Sequence, residues 1–356
     1  MAGQTILITG GAGFVGSNIA LGLKQHYASA HVVALDNLKR RGSELNLERL
    51  KSGGVEFVHG DIRQSADLEE VGGIDLLIEC SAEPSVLAGY DSSPRYVIDT
   101  NLGGTINCLE LARKHSAGVI FLSSSRVYPI KTLNTLELVE NETRLELAPK
   151  QSIAGVSAQG ISEQCSLTGA RSMYGASKLC SELILQEYVE MYDMPGLINR
   201  CGVLTGPWQM GKVDQGVVVL WAARHLYGGA LSYIGYGGEG KQVRDILHVN
   251  DLLNLLIYQI DNLDSVSGEL FNVGGGRDIS ISLQELTTLC EKHTGNSIEI
   301  DSVGETRDAD IPLYITDNAY ATESTGWRPQ ISPDKIVEEI VEWLREHEFV
   351  LRPILG

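Results

Sequence analysis

The chain has 356 residues, of which 43% are hydrophobic and 21% charged, a composition typical of a globular protein with one large domain or two modest ones. The formal net charge of −18 argues against a nucleic-acid-binding protein, because phosphate contacts need clustered Lys and Arg. A small ligand that carries phosphate stays open, since a few local arginines can hold one.

The cysteines and the N-terminus favour a reducing compartment. The six cysteines contain no C-x-x-C pair, so we predict neither a metal site nor a redox motif and interpret all six as buried, reduced thiols. The N-terminus lacks the basic segment and apolar core of a signal peptide, and no apolar run approaches the ~20 residues of a membrane helix. We therefore expect a cytoplasmic protein with no nucleic-acid or membrane partner.

The first half of the chain alternates strand patterns with helical ones. Short apolar runs at 5–8, 31–35, 55–58, 74–78 and 119–122 predict buried strands, and 16–25 has helical spacing. Continuous apolar runs separated by helices indicate a parallel sheet covered on both faces. Right-handed crossovers then give an α/β fold with a doubly wound, Rossmann-type sheet.

Past about Arg200 the character of the sequence changes. Clusters of glycine, together with tryptophans and tyrosines, indicate loops and short elements of a smaller C-terminal α/β region. The stretch 333–347 has the spacing of an amphipathic helix with acidic residues outside. We expect the boundary between the two regions at 199/200, with the chain crossing between them.

A glycine loop lies directly after the first predicted strand. Gly10, Gly13 and Gly16 form G-x-x-G-x-x-G, and Phe14 and Val15 stand where the next helix opens. Glycines let the backbone turn tightly and approach a pyrophosphate, while the helix N-terminus offers unpaired N–H groups. The alternative is a glycine turn without a ligand, but strand, loop and helix in this order favour a dinucleotide.

An acidic residue selects the dinucleotide. Asp36 ends the second predicted strand, 20 residues past Gly16, where a carboxylate accepts hydrogen bonds from ribose hydroxyls and repels a 2′-phosphate. NAD is therefore favoured over NADP, although the basic residues 39–41 follow closely. Asp61 and Ile62, after the third strand, are placed to meet the adenine; an ordinary surface turn is the alternative.

Two further motifs supply proton-transfer chemistry. Tyr174 and Lys178 form Y-x-x-x-K, and residues four apart on a helix share a face, so the ammonium favours the phenolate form of the tyrosine. The serines that end the 119–122 strand lie at the carboxyl edge of the sheet, which faces the ligand in such folds. A serine there can orient a substrate oxygen; a plain serine-rich loop is the alternative.

Together these residues resemble the extended short-chain dehydrogenase/reductase superfamily, in particular its nucleotide-sugar epimerases and dehydratases. The resemblance covers essentially the whole chain, including the N-L-G-G-T run that begins at Asn101. It implies that Ser124, Tyr174 and Lys178 are catalytic. It also implies contacts with NAD from the following set: Gly10, Gly13, Phe14, Val15, Gly16, Asp36, Asn37, Asp61, Ile62, Ser81, Asn101, Tyr174 and Lys178.

The residues after Ser124 separate the reactions of this family. Its 4,6-dehydratases carry an Asp-Glu pair for water elimination, where this chain has Ser125 and Arg126. Epimerisation or simple oxidation-reduction remains. The run 240–248 (GKQVRDILH) and the Asp214-Gln215-Gly216 segment resemble the CDP-paratose 2-epimerase branch, which implies inversion at C2 through a transient ketone.

The same resemblance implies a substrate set and several departures. The substrate set is Glu83, Ser125, Arg126, Asn199, Gln215, Arg244 and Arg307, of which the last two suit bidentate phosphate recognition. The departures are Pro129 in place of the usual Gly, Ser125-Arg126 in place of Asn-Lys, and 79–83 (ECSAE) in place of His-Ala-Gly or His-Ala-Ala. Glu83 and Arg126 therefore mark a different substrate or an added acid or base.

Three hypotheses follow. The favoured one is an NAD-dependent epimerase of a nucleotide-activated hexose, similar to the CDP-paratose 2-epimerases, with residues 1–199 binding NAD and 200–356 mainly the nucleotide-sugar. The second is a 4-epimerase of a UDP- or GDP-sugar on the same scaffold. The third is a non-catalytic NAD-binding protein, which predicts loss of the Tyr-Lys pair. The resemblance also implies a homodimer formed through the helices that carry Asn101 and Tyr174.

Overall fold

The computed structural model describes residues 3–90, 92–211 and 215–356. The strands are β1 Thr5–Thr9, β2 His31–Asp36, β3 Glu56–His59, β4 Leu76–Glu79, β5 Gly118–Ser124, β6 Leu138–Glu140, β7 Leu145–Leu147, β8 Val156–Ser157, β9 Gly160–Ile161, β10 Gly196–Cys201, β11 Val203–Thr205, β12 Leu231–Ile234, β13 Val243–His248, β14 Leu270–Val273, β15 Ser280–Ser282, β16 Ile300–Val303 and β17 Leu313–Tyr314.

The helices are α1 Phe14–His26, α2 Asn46–Ser52, α3 Ser65–Glu69, α4 Arg95–Ile98, α5 Gly104–His115, α6 Ile130–Leu133, α7 Met173–Tyr192, α8 Val217–Tyr227, α9 Val249–Asp261, α10 Leu263–Val266, α11 Leu283–Thr294, α12 Ala319–Thr325, α13 Pro333–Glu346 and α14 Glu348–Leu355. Short 3₁₀ helices span Ser43–Leu45, Ser125–Val127 and Tyr236–Gly238, and a π-helical turn spans Asp99–Gly103.

The chain forms two compact units that exchange segments. The first unit comprises 1–127, 172–201 and 252–271, and the second comprises 128–171, 202–251 and 272–356. The sequence suggested one boundary at 199/200 with crossings. In the structure, 128–171 belongs to the second unit and 252–271 to the first. Each segment packs against residues of that unit that are distant in sequence.

The first unit is built on a seven-stranded sheet of order β14-β10-β5-β4-β1-β2-β3. Six of its strands pair in parallel, in the sheet order β10, β5, β4, β1, β2 and β3. The apolar runs predicted as strands become β1 to β5, and the sheet order reverses beside β1, as in doubly wound folds. The predicted Rossmann-type α/β fold is therefore confirmed.

The core of this unit explains why the strands are apolar along their whole length. Leu7, Leu77, Phe121 and Ile198 come from four neighbouring strands and join one buried cluster with side chains of α5 and α7. Each fully buried aliphatic or aromatic side chain of this kind contributes about 1.5–3 kcal/mol. Helices on the sheet faces bury the inner strands β4 and β5 along their whole length, which removes the polar alternation of a one-sided sheet.

The second unit contains small sheets and a helical cluster. Strands β11, β13, β15 and β17 form one sheet, with pairs β12-β16, β6-β7 and β8-β9 beside it. The predicted C-terminal helix is α13, which buries Ile336, Val337, Ile340 and Leu344 on one face. In β13, the buried Asp245 accepts backbone hydrogen bonds from Gly276 (3.2 Å) and Thr316 (3.1 Å).

All six cysteines are free thiols, and five are wholly or largely buried as expected. Cys180 is the exception: it lies on the exposed side of α7, so its interpretation as a buried thiol was wrong. Within the described residues, no helix combines the length and the apolar composition needed to cross a bilayer.

Candidate active site

The glycine loop forms a cradle between β1 and α1. Gly10 has φ +62, which favours glycine, and a Cβ on Gly16 would stand 2.3 Å from the carbonyl oxygen of Gly10. A Cβ on Gly11 would stand 2.6 Å from Cα of Ala34. The spacing motif did not include Gly11, yet the close approach to β2 makes it as necessary as the other three.

The cradle opens on the N-terminus of α1. Gly13 is the N-cap residue, no side chain caps it, and the first turn carries no acidic residue. The free N–H groups and the positive end of the helix dipole therefore remain available for an anion. Phe14 and Val15 stand at this opening and are partly exposed. These features fit the pyrophosphate of a dinucleotide.

Asp36 lies beside the cradle at the end of β2. Its carboxylate accepts hydrogen bonds from the backbone N–H of Leu38 (2.8 Å) and of Ala12 (3.2 Å). Burial raises the pKa of Asp36, and these backbone donors oppose that rise. Asp36 thus holds the glycine loop and presents an acidic group where the ribose of a dinucleotide would lie, which fits NAD better than NADP.

The two residues assigned to the adenine lie after β3. Asp61 accepts hydrogen bonds from Arg63 and from the Asn37 amide (3.0 Å), and the Arg63 guanidinium holds the pKa of Asp61 well below its usual range. Ile62 is buried against Gly104 at the start of α5, where a Cβ would stand 2.3 Å from it. Asn37 and Asp61 therefore form one hydrogen-bonded rim beside Asp36.

Lys39, one of the basic residues that left NADP open, contacts an aromatic ring. The Lys39 ammonium lies 3.1 Å from the centre of the Tyr96 ring, and Arg63 lies 4.9 Å from the same ring. Such cation–π contacts hold both cations on the protein surface.

Asn101 has a structural role, because it links two segments of the first unit. It is fully buried in the π-helical turn. Its amide oxygen accepts a hydrogen bond from the backbone N–H of Glu83 (2.8 Å), and its amide nitrogen donates to the carbonyl of Glu83 (3.2 Å) and to the Ser177 hydroxyl (3.1 Å). Both amide N–H groups are used within the protein, and the contact of Asn101 with the cofactor stays a prediction. Asn101 joins the loop after β4 to α7.

The serine assigned to catalysis ends β5. Ser124 Oγ accepts a hydrogen bond from the backbone N–H of Arg126 (3.1 Å). Because the Oγ accepts this bond, its own proton is directed elsewhere and is available to a substrate oxygen. Ser125 and Arg126 continue into the short 3₁₀ helix at this carboxyl edge of the sheet, Ser125 buried and Arg126 partly exposed.

Tyr174 and Lys178 lie on α7, one turn apart. Ser172 caps this helix by accepting the backbone N–H of Gly175 (3.2 Å), which begins α7 directly before Tyr174. Tyr174 is partly exposed, whereas only 2% of the Lys178 surface is exposed. Lys178 Nζ lies 4.1 Å from the centre of the Phe121 ring in β5. The helix and the end of β5 thus place these two side chains in the same unit as Ser124.

A carboxylate faces the buried lysine. Glu79 ends β4, and only 1% of its side chain is exposed. Its Oε2 lies 3.6 Å from Lys178 Nζ. Thr9 donates a hydrogen bond to Oε1 (3.4 Å), and the backbone N–H of Ser81 also donates to the carboxylate. Burial raises the pKa of Glu79, and the Lys178 charge is the largest opposing influence. This pair was not anticipated, although a carboxylate at the end of an otherwise apolar strand was its signal.

A second buried ion pair lies along the same helix. Glu182 accepts hydrogen bonds from Arg200 Nε (3.0 Å) and Nη2 (2.7 Å), and the Ser123 hydroxyl donates to the same carboxylate. Arg200 in β10 stands opposite Ser123 in β5 in the strand register. The network therefore ties α7 to the two strands beside Ser124.

Asn199 does not meet the substrate role assigned to it. The residue is fully buried, and its amide exchanges two hydrogen bonds with the amide of Gln259, at 2.8 and 2.9 Å. The assignment to substrate binding was therefore wrong, because the side chain is enclosed and committed to α9. Glu83, whose backbone bonds Asn101, is partly exposed and keeps the substrate assignment as a prediction.

The remaining substrate residues belong to the second unit. The Arg244 guanidinium donates to the carbonyls of Val243 and Ile311, each at 2.8 Å. Arg307 lies four residues before Ile311 in a turn closed by Asp310, and it is partly exposed. Gln215 is described and partly exposed, while Asp214 lies outside the described residues. Both arginines are thus associated with the 307–311 segment of this unit.

The comparisons with known proteins agree with this geometry. Residues 6–274 match the model of the NAD dependent epimerase/dehydratase family. The chain is 30% identical to the CDP-paratose 2-epimerase of Salmonella typhi over 95% of this chain and 98% of that protein. It is 28% identical to a putative UDP-glucose 4-epimerase of Methanocaldococcus jannaschii over 96% and 99%.

A solved structure extends the likeness to three dimensions. DesIV, a dTDP-glucose 4,6-dehydratase of Streptomyces venezuelae solved with NAD bound, is 26% identical, with a TM-score of 0.79 over 99% of this chain and 100% of that one. The glycine cradle, the uncapped helix N-terminus and Asp36 together fit the same cofactor. The chain is an enzyme of the NAD-dependent epimerase/dehydratase family, and its cofactor is NAD.

Proposed function

We propose that the enzyme inverts one carbon of a nucleotide-activated hexose, with CDP-paratose inverted at C2 as the first substrate to test. The observation that carries the proposal is the set of Ser124, Tyr174 and Lys178 in the first unit. Ser124 is followed in the chain by Ser125 and Arg126. The relative of 30% identity, a CDP-paratose 2-epimerase, supports the choice of sugar.

The side chains define the proposed chemistry. NAD, when bound, supplies a hydride acceptor that later returns the hydride. Tyr174 takes the proton of the sugar hydroxyl, and Ser124 donates a hydrogen bond to the same oxygen, since its Oγ already accepts from the backbone of Arg126. The buried Lys178 supplies positive charge one helical turn below Tyr174. When the ketone is reduced from its other face, Tyr174 returns the proton.

The residues after Ser124 argue against water elimination. Elimination from a sugar needs an acid and a base beside the reacting carbons, and the family's dehydratases carry Asp-Glu there. Ser125 is a poor acid, and Arg126 stays protonated at working pH, so neither can replace that pair. The absence of the pair favours epimerisation over dehydration.

The second unit supports recognition of the nucleotide diphosphate. Arg244 and Arg307 are planar cations suited to bidentate phosphate contacts, and among the described residues the Arg307 side chain makes no hydrogen bond or ion pair. We propose that Arg307 binds the diphosphate and that Glu83 and Arg126 contact the sugar.

A panel of nucleotide-sugars tests the proposal. The purified enzyme is incubated separately with CDP-paratose, UDP-glucose, UDP-galactose and GDP-mannose, and products are identified by NMR. We expect inversion at C2 of CDP-paratose. Inversion at C4 of a UDP- or GDP-sugar instead would establish the second hypothesis, which the 28% identical 4-epimerase relative favours. Release of water with a keto product would contradict both.

We further propose a homodimer formed through the long helices of the first unit. On α7, Leu183 is 54% exposed and Met191 is 66% exposed, and their spacing of eight residues places them on one face. Exposed apolar faces of this kind are typical of protein–protein contacts. Light scattering should give the mass of a dimer, and Leu183→Glu should give a monomer, whereas Phe349→Glu at an exposed site of α14 should not.

The six free thiols support a reducing compartment, so we propose that the enzyme works in the cytoplasm. Activity recovered only in a membrane or secreted fraction would contradict this.

A further inference from the structure

Glu79 stands where the family usually has histidine, and it faces the catalytic lysine. The Lys178 ammonium is 98% buried, and a buried ammonium is stable only when an opposite charge or several hydrogen-bond acceptors compensate it. Glu79 Oε2 lies 3.6 Å from the ammonium nitrogen and has no hydrogen-bond partner among the described residues. The carboxylate and the ammonium are therefore directed at each other.

Three thiols lie near this pair in the described part of the chain. Cys80, Cys108 and Cys201 all interact electrostatically with Lys178, and the first two also with Glu79. Burial raises the pKa of all three thiols, that of Cys201 to about 12, so they stay neutral.

The remaining faces of the pair are neutral or already paired. Phe121 presents a ring to Nζ, and Thr9 presents a hydroxyl to Glu79. Glu182, one turn further along α7, is paired with Arg200. In the described part of the chain, Glu79 is thus the one anion positioned to balance Lys178.

We propose that Glu79 is a positioning residue that holds the Lys178 ammonium in place. Glu79 and Lys178 carry opposite charges when both are ionised, so Glu79 as well as Lys178 sets the electrostatic field at Tyr174. Replacing Glu79 by glutamine removes the negative charge beside Lys178 and changes the electrostatic field at Tyr174, one helical turn away.

The kinetic test rests on the proposed epimerase activity. Glu79→Gln removes a negative charge beside the site, which disfavours protonated forms there, so we expect the pH profile of kcat to lie about one pH unit lower than in the parent. The matched control is Thr9→Val, which removes the neutral hydrogen bond to Glu79 and keeps its charge. We expect that control to keep the parental profile. An unshifted profile in Glu79→Gln would overturn the proposal.

A second test needs no substrate, so it separates failure of this inference from failure of the proposed function. The full-length parent, Glu79→Gln, Lys178→Met and the double variant are unfolded in urea, with and without added NAD. We expect each single variant to be destabilised. We expect the double variant to be more stable than the two single effects predict, by at least tenfold in the unfolding equilibrium constant. Additive effects within threefold would overturn the pair.

A folding failure also decides the matter. If Glu79→Gln alone yields no folded protein, recovery of folded protein in the double variant supports the pair, because the unbalanced ammonium is then gone. No recovery overturns it.

Discussion

The buried pair between Arg200 and Glu182 gives the sharpest stability prediction. Both side chains are at least 96% buried, and two guanidinium nitrogens bond the carboxylate at 2.7–3.0 Å. Arg200→Met fills much of the same space but leaves the Glu182 carboxylate buried with the Ser123 hydroxyl as its remaining donor. Removing one partner of a buried pair costs about 3–5 kcal/mol. For a domain of roughly 150–250 residues, this corresponds to a decrease in Tm of about 6–20 °C.

The assay is thermal unfolding followed by circular dichroism, with two comparison variants. Arg352→Met removes an ion pair with Glu348 in which both partners are more than half exposed, so its effect should stay below about 1 kcal/mol. The double variant Arg200→Met/Glu182→Met removes both charges and should recover much of the lost stability. A decrease in Tm for Arg200→Met no larger than that for Arg352→Met would refute the reasoning.

Three further predictions concern the cofactor cradle and the pH dependence of stability. Gly11→Ala places a Cβ 2.6 Å from the backbone of β2, so we expect NAD affinity measured by calorimetry to fall at least tenfold, whereas Gly103→Ala, whose Cβ meets nothing within 4 Å, should keep it. Asp36→Asn removes the charge that repels a 2′-phosphate, so the ratio of NAD to NADP affinity should fall at least tenfold; an unchanged ratio would assign the selectivity elsewhere. Burial raises the pKa of Asp245 to about 6, from an ordinary value of 3.8, so the folded state keeps a proton that the unfolded state releases between about pH 4 and 6. This carboxyl therefore lowers stability by about 3 kcal/mol as pH rises through that window, and Asp245→Asn should become more stable relative to the parent between pH 4.5 and 7; a constant difference in Tm would contradict it.

The parallel sheet and the cofactor loop were predictable because their signals are local. Buried parallel strands are continuous apolar runs, and β1 to β5 follow those runs to within two residues or so. The glycine motif from Gly10 to Gly16 runs from the end of β1 into the first turn of α1, two elements that are adjacent in sequence. Spacing alone, however, did not show that Gly11 approaches β2, since that contact depends on strand pairing.

The roles that were missed depend on partners far apart in the chain. Asn199 seemed available to a substrate because nothing near it in sequence indicates Gln259, which encloses it from α9. Glu79 and Lys178 are 99 residues apart and meet only because β4 and α7 pack in one unit. The segment 128–171 follows β5 directly in sequence, yet its contacts place it in the second unit. Distances of this kind are a property of the tertiary fold, which periodicity does not reveal.

The central claim is that Tyr174 and NAD invert a sugar carbon by removing a hydride and returning it. It is tested most directly with CDP-paratose carrying deuterium at C2, incubated in ordinary water without added NAD. The account predicts that the epimer keeps its deuterium at C2 and that Tyr174→Phe forms no epimer while still binding NAD. An epimer that has exchanged its deuterium for solvent hydrogen would contradict the account.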